Sequence, residues 1–309
     1  MNKRLKHWLI GILIVVGVIC IGIGSAGYYF YNMAVARGKK TFINNSTAIK
    51  KSDPLYHEKS WYRGTKKLVW HETSATKHFK LVANYVPASK QTNKTIVIAH
   101  GFGGSSDKMG EYAGLFHELG YNVLLPDDRG AGKSQGNYIG YGWPDRLDYL
   151  KWIKQVIRKN GPQSQIVVFG TSMGGATTMM ISGEKTPKQV KAYIEDCGYT
   201  SIYDEIKYQA KSMYNIPEYP LVPVVSGINY LKNGYTFKQA SAKNHKPMLF
   251  IHGTSDTFVP TRMVYPLYKA DKGPKRLLLV NGAKHAKSYE HAPALYRSTV
   301  KAFLDRYFN

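Results

Sequence analysis

The stretch Val-Val-Phe-Gly-Thr-Ser-Met-Gly-Gly, residues 167–175, restricts more than any other feature what this chain can fold into. A short apolar run leads into it, and residues 176–181 after it can form a helix. Between a strand and a helix, Gly-x-Ser-x-Gly is typical of a nucleophile elbow, a sharp turn that projects the serine hydroxyl out of a sheet. Glycines on both sides of the serine let the strand and the helix approach without a side-chain clash. The pattern therefore predicts that Ser172 is a nucleophile.

Apolar, β-branched runs alternate with helical stretches along most of the remaining chain. The alternation predicts an α/β fold with a mainly parallel sheet covered by helices on both faces. A turn between the first two runs predicts that they form an antiparallel hairpin. The expected strands are 67–72, 78–86, 95–99, 122–125, 165–169, 190–194, 247–251 and 276–280, and the expected helices include 108–119, 144–159 and 292–307.

Residues 198–245 break the alternation of strands and helices. They contain helical pieces, many tyrosines and a proline-rich bend at 216–223. We interpret the interval as a small helical cap inserted over the carboxyl-terminal edge of the sheet, where an insertion would set substrate selectivity. A long surface excursion is the alternative. The tyrosines indicate an apolar or aromatic acyl pocket, although tyrosine is also an ordinary packing residue; they are Tyr199, Tyr203, Tyr208, Tyr214 and Tyr219.

The amino terminus has the pattern of a membrane anchor. A short basic tail, residues 1–7, precedes the uncharged run 8–31, which is longer than the roughly 20 residues needed to cross a bilayer. A signal peptide cleaved near residues 24–26 is the alternative. Residues 32–60 are polar and mixed, as in a linker that is partly helical. The basic tail favours a single-pass protein of the cell membrane with its main domain outside the cell, although basic residues also follow the run.

Composition and charge distribution argue against a nucleic-acid-binding protein and against a disulfide-stabilised fold. Lys and Arg total 43 against 20 Asp and Glu, a formal net charge of +23, but the basic residues are scattered as on a solvated surface. The chain has no zinc-ligand cluster, RNA-binding signature or helix-turn-helix pattern, so no nucleic-acid partner is expected. Its two cysteines, Cys20 and Cys197, lie far apart and predict no disulfide framework. No metal and no cofactor are expected.

A serine hydroxyl needs a base, and the base needs a group that orients it. In a strand-and-helix architecture these follow the serine in the order acid, then histidine. Asp256 comes just after the run 247–251, and His285 follows the last run, 276–280. Both should therefore lie at the same edge of the sheet as Ser172. We predict that the three residues form a catalytic triad.

Other residues compete for these roles. Asp196 also follows a strand and could be the acid in place of Asp256. His100 and His252 lie at strand ends, but their position in the chain fits loop-structuring roles better. His291 is close to His285 but lies where the last helix begins.

An oxyanion hole needs two donors aimed at the developing negative charge. The backbone N–H of Met173, just after the nucleophile, is the first candidate. The second is Phe102, in the sequence His-Gly-Phe-Gly-Gly at 100–104, whose glycines would let the backbone approach a substrate. An ordinary glycine-rich turn is the alternative reading of 100–104.

From about residue 61 to the carboxyl terminus, the chain resembles the α/β-hydrolase superfamily. The resemblance rests on five motifs in order: His-Gly-Phe-Gly (100–103), Asp-Asp-Arg-Gly-Ala-Gly-Lys-Ser (127–134), Gly-Thr-Ser-Met-Gly-Gly (170–175), His-Gly-Thr-Ser-Asp (252–256) and Gly-Ala-Lys-His (282–285). It implies an eight-stranded sheet. Within the superfamily, the chain is similar to the serine aminopeptidase-like and acyl-esterase branches and, through Asp-Cys-Gly-Tyr-Thr-Ser at 196–201, to membrane-anchored hydrolases of Gram-positive bacteria.

These features predict a serine hydrolase of the carboxylesterase type in residues 61–309, acting on a small-molecule ester or acyl substrate. A peptidase, an amidase or an acyltransferase could use the same triad. A non-catalytic, membrane-tethered binding protein on the same fold is a further alternative.

Overall fold

The structure, a computed structural model, describes residues 2–38, 40, 48–237 and 244–307. Residues 39 and 41–47 of the expected linker, and 238–243 of the expected cap, lie outside the described residues. The chain forms two compact units. The smaller comprises Met1–Ala36 and Tyr203–Gln239, and the larger comprises Arg37–Ile202 and Ala240–Asn309.

An eight-stranded sheet forms the centre of the larger unit. Its strands lie in the order β1-β2-β4-β3-β5-β6-β7-β8. The pairs β1–β2 and β2–β4 are antiparallel and all the others are parallel. The predicted mainly parallel sheet and its amino-terminal hairpin are therefore confirmed. The strands are β1 (Leu68–Thr73), β2 (Lys80–Val86), β3 (Lys94–Ala99), β4 (Asn122–Pro126), β5 (Gln165–Thr171), β6 (Val190–Asp196), β7 (Met248–Gly253) and β8 (Lys275–Val280).

Ten helices are found within the described ranges. They are α1 (Lys3–Ala34), α2 (Tyr56–Gly64), α3 (Gly110–Glu118), α4 (Asp145–Asn160), α5 (Met173–Ser182), α6 (Ile202–Tyr214), α7 (Leu221–Asn233), α8 (Val264–Ala270), α9 (Ser288–His291) and α10 (Pro293–Tyr307). The central strands are buried on both faces, as parallel strands covered by helices require, and β3, β4 and β5 are almost wholly inaccessible.

The start of the larger unit differs from the boundary expected at residue 61. Helix α2 lies across that boundary and packs on α3, where a Cβ on Gly114 would lie 2.5 Å from Cβ of Glu58. Leu55 and Tyr62 are buried in the core cluster, and Tyr289 donates a hydrogen bond to Glu58 over 2.9 Å. Residues 32–60 have a mixed composition and only one face of α2 is apolar, so the sequence pattern does not locate this short helix.

The parallel register brings the ends of five strands to one edge of the sheet. Ala99 of β3 lies beside Gly170 of β5, and Thr171 lies beside Asp196 at the end of β6. On the other side of β6, the ends of β7 and β8 lie side by side. Segments that follow these strands therefore start from neighbouring points, although they are far apart in sequence.

The smaller unit consists of α1, most of α6 and α7. Helix α1 has 32 residues and is long and apolar enough to cross a membrane. It begins and ends a few residues outside the predicted run 8–31. Helices α6 and α7 supply the helical content expected for the cap, with the proline-rich bend between them.

Candidate active site

Ser172 occupies the sharp turn between β5 and α5. Its backbone lies at φ 57° and ψ −121°, a region that residues with a Cβ rarely adopt. The surrounding glycines have no room for a side chain, since a Cβ on Gly170 would lie 2.0 Å from the carbonyl oxygen of Gly174. The N–H of Ser172 donates to the carbonyl of Asp196 over 2.8 Å and fixes the turn to β6. The turn thus has the shape that the sequence pattern predicts.

Gly174→Ala is expected to lower the free energy of unfolding by about 3 kcal/mol or more, since overpacking of a tight core costs about this much. A Cβ at this position would lie 2.0 Å from the backbone oxygen of Ala99, which cannot move without displacing β3. Denaturant unfolding of the full chain in detergent measures the change. Gly64→Ala is the matched control, because no atom of the described part of the chain lies within 4 Å of its Cβ position. Equal stability of the two variants would contradict the steric argument.

His285 links the serine to a carboxylate. Its Nε2 lies 2.8 Å from Ser172 Oγ, and its Nδ1 lies 2.7 Å from Asp256 Oδ2. An ionised carboxylate only accepts hydrogen bonds, so Nδ1 donates to Asp256 and Nε2 is left to accept the serine proton. The structure therefore brings together the three residues that the sequence nominates, in the geometry of nucleophile, base and orienting acid.

Asp256 is held as an anion. Its side chain is fully buried, and its Oδ1 accepts hydrogen bonds from the N–H groups of Phe258 and Val259, each over 2.9 Å. Burial alone would raise the pKa of this carboxyl, but hydrogen bonds from His252 and His285 lower it to about 2. The negative charge opposite His285 Nδ1 is therefore present throughout the neutral range.

His252 also faces Asp256. Its Nε2 lies 3.4 Å from Asp256 Oδ2 and 2.9 Å from the carbonyl of Val259, and both side chains of the His252–Asp256 pair are fully buried. Burial alone would lower the pKa of His252, but hydrogen bonding to Asp256 and to the Val259 carbonyl raises it above its usual value. The sequence predicts only a loop-structuring role for His252. Its position four residues before Asp256, at the same strand end, is the sequence feature that indicates a contact between the two side chains.

Asp196, the alternative candidate for the orienting acid, is hydrogen-bonded to a residue other than His285. Its Oδ2 accepts a hydrogen bond from Tyr296 over 3.0 Å, and burial raises the pKa of the carboxyl to about 6. The carboxylate that contacts His285 is that of Asp256. The structure thus favours Asp256 over Asp196 as the orienting acid.

Glu195, beside Asp196, is a buried carboxyl that the sequence analysis did not single out. Its Oε2 accepts a hydrogen bond from the N–H of Gly198 over 2.9 Å, and complete burial raises its pKa to about 8. At neutral pH the folded chain therefore holds a proton on Glu195 that the unfolded chain, with a pKa of about 4.3, has lost. The contribution of Glu195 to folding stability should therefore fall as the pH rises from about 4.3 to about 8.

Glu195→Gln is expected to remove this contribution, because the amide stays neutral. The unfolding free energy of the variant, relative to the unchanged chain, should rise with pH across that window, by up to about 1.4 kcal/mol per pH unit. Denaturant unfolding of both chains at several pH values between 5 and 8 gives the difference. A difference that stays constant over this range would contradict a neutral Glu195.

The loop at 100–104 lies against the serine. A Cβ on Gly101 would lie 3.5 Å from Ser172 Cβ, and Gly104 N–H donates to the Gly101 carbonyl to close a tight turn. His100 is buried, with Nδ1 lying 2.8 Å from the Gly101 carbonyl and Nε2 accepting the N–H of Asp128 over 3.1 Å. The loop is thus fixed beside Ser172, where the candidate oxyanion donors Phe102 and Met173 are needed.

A cavity of about 330 Å³ adjoins this loop. Arg37 donates hydrogen bonds to the carbonyls of Gly132, Ser134 and Gly136, which ties the segment after α1 to one wall of the cavity. Burial lowers the pKa of Lys40 at the same wall. The lining residues are Arg37, Gly38, Lys40, His100, Gly103, Gly104, Asp128, Arg129, Gly130, Ala131, Gly132, Ile139 and Met173.

Three potential metal-ligand atoms also meet at the site. Those of Cys197, Asp256 and His285 lie within 4.8 Å of one another. Both ring nitrogens of His285 are already hydrogen-bonded, and burial raises the pKa of the Cys197 thiol, whereas metals bind the thiolate. The three residues do not fit a resident metal ion.

Comparison with known proteins agrees with this geometry. Residues 90–213 match the family described as serine aminopeptidase, S33. The chain is 29% identical to YqkD of Bacillus subtilis over 300 residues, covering 95% of this chain and 97% of that protein. It is 30% identical to YfhR of Escherichia coli K12 over 214 residues, covering 68% and 69%. Among solved structures it is similar to the esterase Pf2001 of Pyrococcus furiosus, with a TM-score of 0.61, 22% identity and coverage of 86% and 100%.

Proposed function

Since this chain belongs to the α/β-hydrolase superfamily and is a hydrolase by family, we propose that it cleaves carboxylic esters through an acyl-enzyme formed on Ser172. One observation carries the proposal: two consecutive hydrogen bonds, of 2.8 and 2.7 Å, join Ser172 to His285 and His285 to Asp256. This arrangement supplies a nucleophile, a base and a group that holds the base in its productive tautomer.

In the first half-reaction, His285 Nε2 takes the proton of Ser172 as Oγ attacks the ester carbonyl carbon. The oxyanion accepts hydrogen bonds from the N–H groups of Met173 and Phe102. His285, held by Asp256, then gives the proton to the leaving alcohol as the carbon–oxygen bond breaks. The acyl group remains on Ser172 Oγ.

In the second half-reaction, water takes the place of the alcohol. His285 removes a proton from the water as its oxygen attacks the acyl carbon, and the proton returns to Ser172 Oγ as the acid leaves. The serine and the neutral histidine are restored, so the cycle balances without a cofactor.

A peptidase or amidase activity is the second candidate, and the match of residues 90–213 to the serine aminopeptidase family favours it. Only the leaving group differs, since an amine replaces the alcohol. The same acyl-enzyme could pass its acyl group to another alcohol, as in an acyltransferase. A non-catalytic binding protein would not need the intact hydrogen-bonded series of Ser172, His285 and Asp256.

A panel of p-nitrophenyl esters of increasing acyl length, assayed beside aminoacyl amides, tests the choice. The proposal predicts a kcat/KM for the best ester at least about tenfold above that for the best amide. Faster amide turnover would replace the esterase assignment with a peptidase. Turnover of neither class, together with no reaction of Ser172 with a fluorophosphonate, would support the binding protein.

We further propose that α1 spans the cell membrane once and that the catalytic domain lies outside the cell. The length and apolar composition of α1 support the span, and the basic residues before it favour an amino terminus inside. Proteolysis of intact cells tests this topology. Loss of the catalytic domain to external protease is expected, and its protection until the cells are broken would overturn the orientation.

A further inference from the structure

The smaller unit joins the candidate membrane helix to the helices of the expected cap. Helix α7 packs closely on α1 at Gly27, where a Cβ would lie only 2.5 Å from Val224 Cγ1. Small residues permit such close approach of helices in membranes. Farther along both helices, Asn233 donates a hydrogen bond to the Tyr31 hydroxyl over 2.9 Å. Helix α7 is therefore fixed along the carboxyl-terminal part of α1.

The rise of α1 sets the depth of these contacts. If the uncharged run begins at the membrane boundary at Trp8, Ile23 lies about 22 Å along the helix and Tyr28 about 30 Å, at 1.5 Å per residue. The hydrocarbon layer is about 30 Å thick. Residues that pack against Ile23 or Ala26 therefore lie at hydrocarbon depth, and those near Tyr28 and Tyr31 lie at the level of the headgroups.

The bend between α6 and α7 lies beside Ile23 and Ala26 of α1. Together with α1 it forms an apolar groove of about 290 Å³, which we call the cap groove. Among the residues that the structure describes, its lining carries no charged side chain and consists of Ile23, Ala26 and Phe30 from α1 and Ile216, Pro217, Tyr219, Pro220 and Leu221 from the bend.

The one acidic residue of the bend has its charge compensated. The carboxylate of Glu218 accepts a hydrogen bond from Tyr203 over 2.8 Å and lies 2.6 Å from Lys207 Nζ. Both partners belong to α6. The bend therefore presents its apolar side chains without an unpaired acidic group, and Tyr219 remains 68% exposed.

The neighbouring aromatic and basic side chains are those expected at a membrane interface. Lys232 Nζ lies 5.0 Å from the ring centre of Tyr28 and 5.3 Å from that of Tyr31. Tyrosine and lysine are favoured at the level of the lipid headgroups, where the ammonium can reach the phosphates. Tyr230 and Leu231, at the same end of α7, are exposed.

We propose that the segment 216–221 lies within the bilayer beside α1 and that the cap groove binds an acyl chain of a membrane lipid. The inference rests on the proposal that α1 spans a membrane and is independent of the reaction at Ser172. A lipid chain is the occupant because one wall of the groove is the spanning helix itself, at a depth where lipid tails are the solvent.

Photolabelling of the full chain in phospholipid vesicles tests this site. The vesicles contain phosphatidylglycerol, phosphatidylcholine and a small fraction of phosphatidylcholine with a diazirine on its acyl chain. After irradiation and digestion, mass spectrometry should find lipid adducts on residues 216–221 as well as on residues 8–21. Adducts on residues 8–21 without any on residues 216–221 would overturn the proposal. A protein partner would then be the favoured occupant of the cap groove. Adducts on neither segment would overturn the membrane span and the proposal with it.

Two variants sharpen the result. Leu221→Asp places a charge in the groove and should reduce adducts on residues 216–221 at least fivefold, whereas Leu231→Asp, which does not line the groove, should leave them in place. Equal labelling of both variants would contradict binding in the groove. Ser172→Ala should label like the unchanged chain, so failure of the esterase proposal does not affect this test. If Leu221→Asp fails to fold, the presence or absence of adducts on residues 216–221 of the unchanged chain still tests the proposal.

Discussion

Ser172→Ala is expected to lower kcat for the best ester substrate by about 10⁶-fold, the scale on which loss of a hydrolase nucleophile is measured. Alanine has no oxygen to attack the carbonyl, so no acyl-enzyme can form. The side chain loses one atom on a turn that already accommodates a Cβ, so the fold should persist. Steady-state kinetics of the variant, with unfolding measured in parallel, give both values.

Ser298→Ala is the matched control. Its hydroxyl donates to the carbonyl of Leu295 within α10, and the substitution removes the same atom from an exposed position on that helix. This variant should keep the activity of the unchanged chain within about twofold. Activity of Ser172→Ala within tenfold of the unchanged chain would exclude Ser172 as the nucleophile.

The second large effect is expected for Asp256→Asn, which should lower kcat by about 10⁴-fold. Asparagine can still accept the N–H groups of Phe258 and Val259 through its oxygen. Its amide then faces His285 Nδ1 with a donor, so the histidine is held with its proton on Nε2. In that tautomer it cannot accept the proton of Ser172.

Asp196→Asn separates the two candidate acids. Asp196 bonds to Tyr296, and its substitution should lower kcat by less than about tenfold. The kinetics of the two variants on one ester, with unchanged unfolding midpoints, make the comparison. A loss at Asp196 as large as that at Asp256 would contradict the assigned acid.

Much of this fold could be predicted because its signals are local. The central strands are short runs of buried, mostly apolar residues, and the residues of the candidate site follow such runs within a few positions. Strand ends at one edge of a parallel sheet are neighbours by geometry. The sequence therefore predicts that Ser172, Asp256 and His285 lie together.

Features that depend on long-range packing could not be predicted. Leu55, directly before α2, and Tyr62 within it join the core, but both lie in a stretch of mixed polar and aromatic residues with no clear periodicity. The sequence predicts only a loop-structuring role for His252 at its strand end, because it is the folding of residues 253–259 that brings the Asp256 carboxylate to its ring. The packing of α7 on α1 depends on two segments about 200 residues apart, with no periodicity that links them.

The most direct test of the central claim is mass spectrometry of the full chain after reaction with a fluorophosphonate. We predict a single adduct, on the peptide that contains Ser172, formed by the unchanged chain and absent from Ser172→Ala. The hydrogen bond of 2.8 Å to His285 is the reason for this selectivity, since it activates one serine hydroxyl. No adduct on the folded chain, or an adduct of equal yield on another serine, would contradict the account.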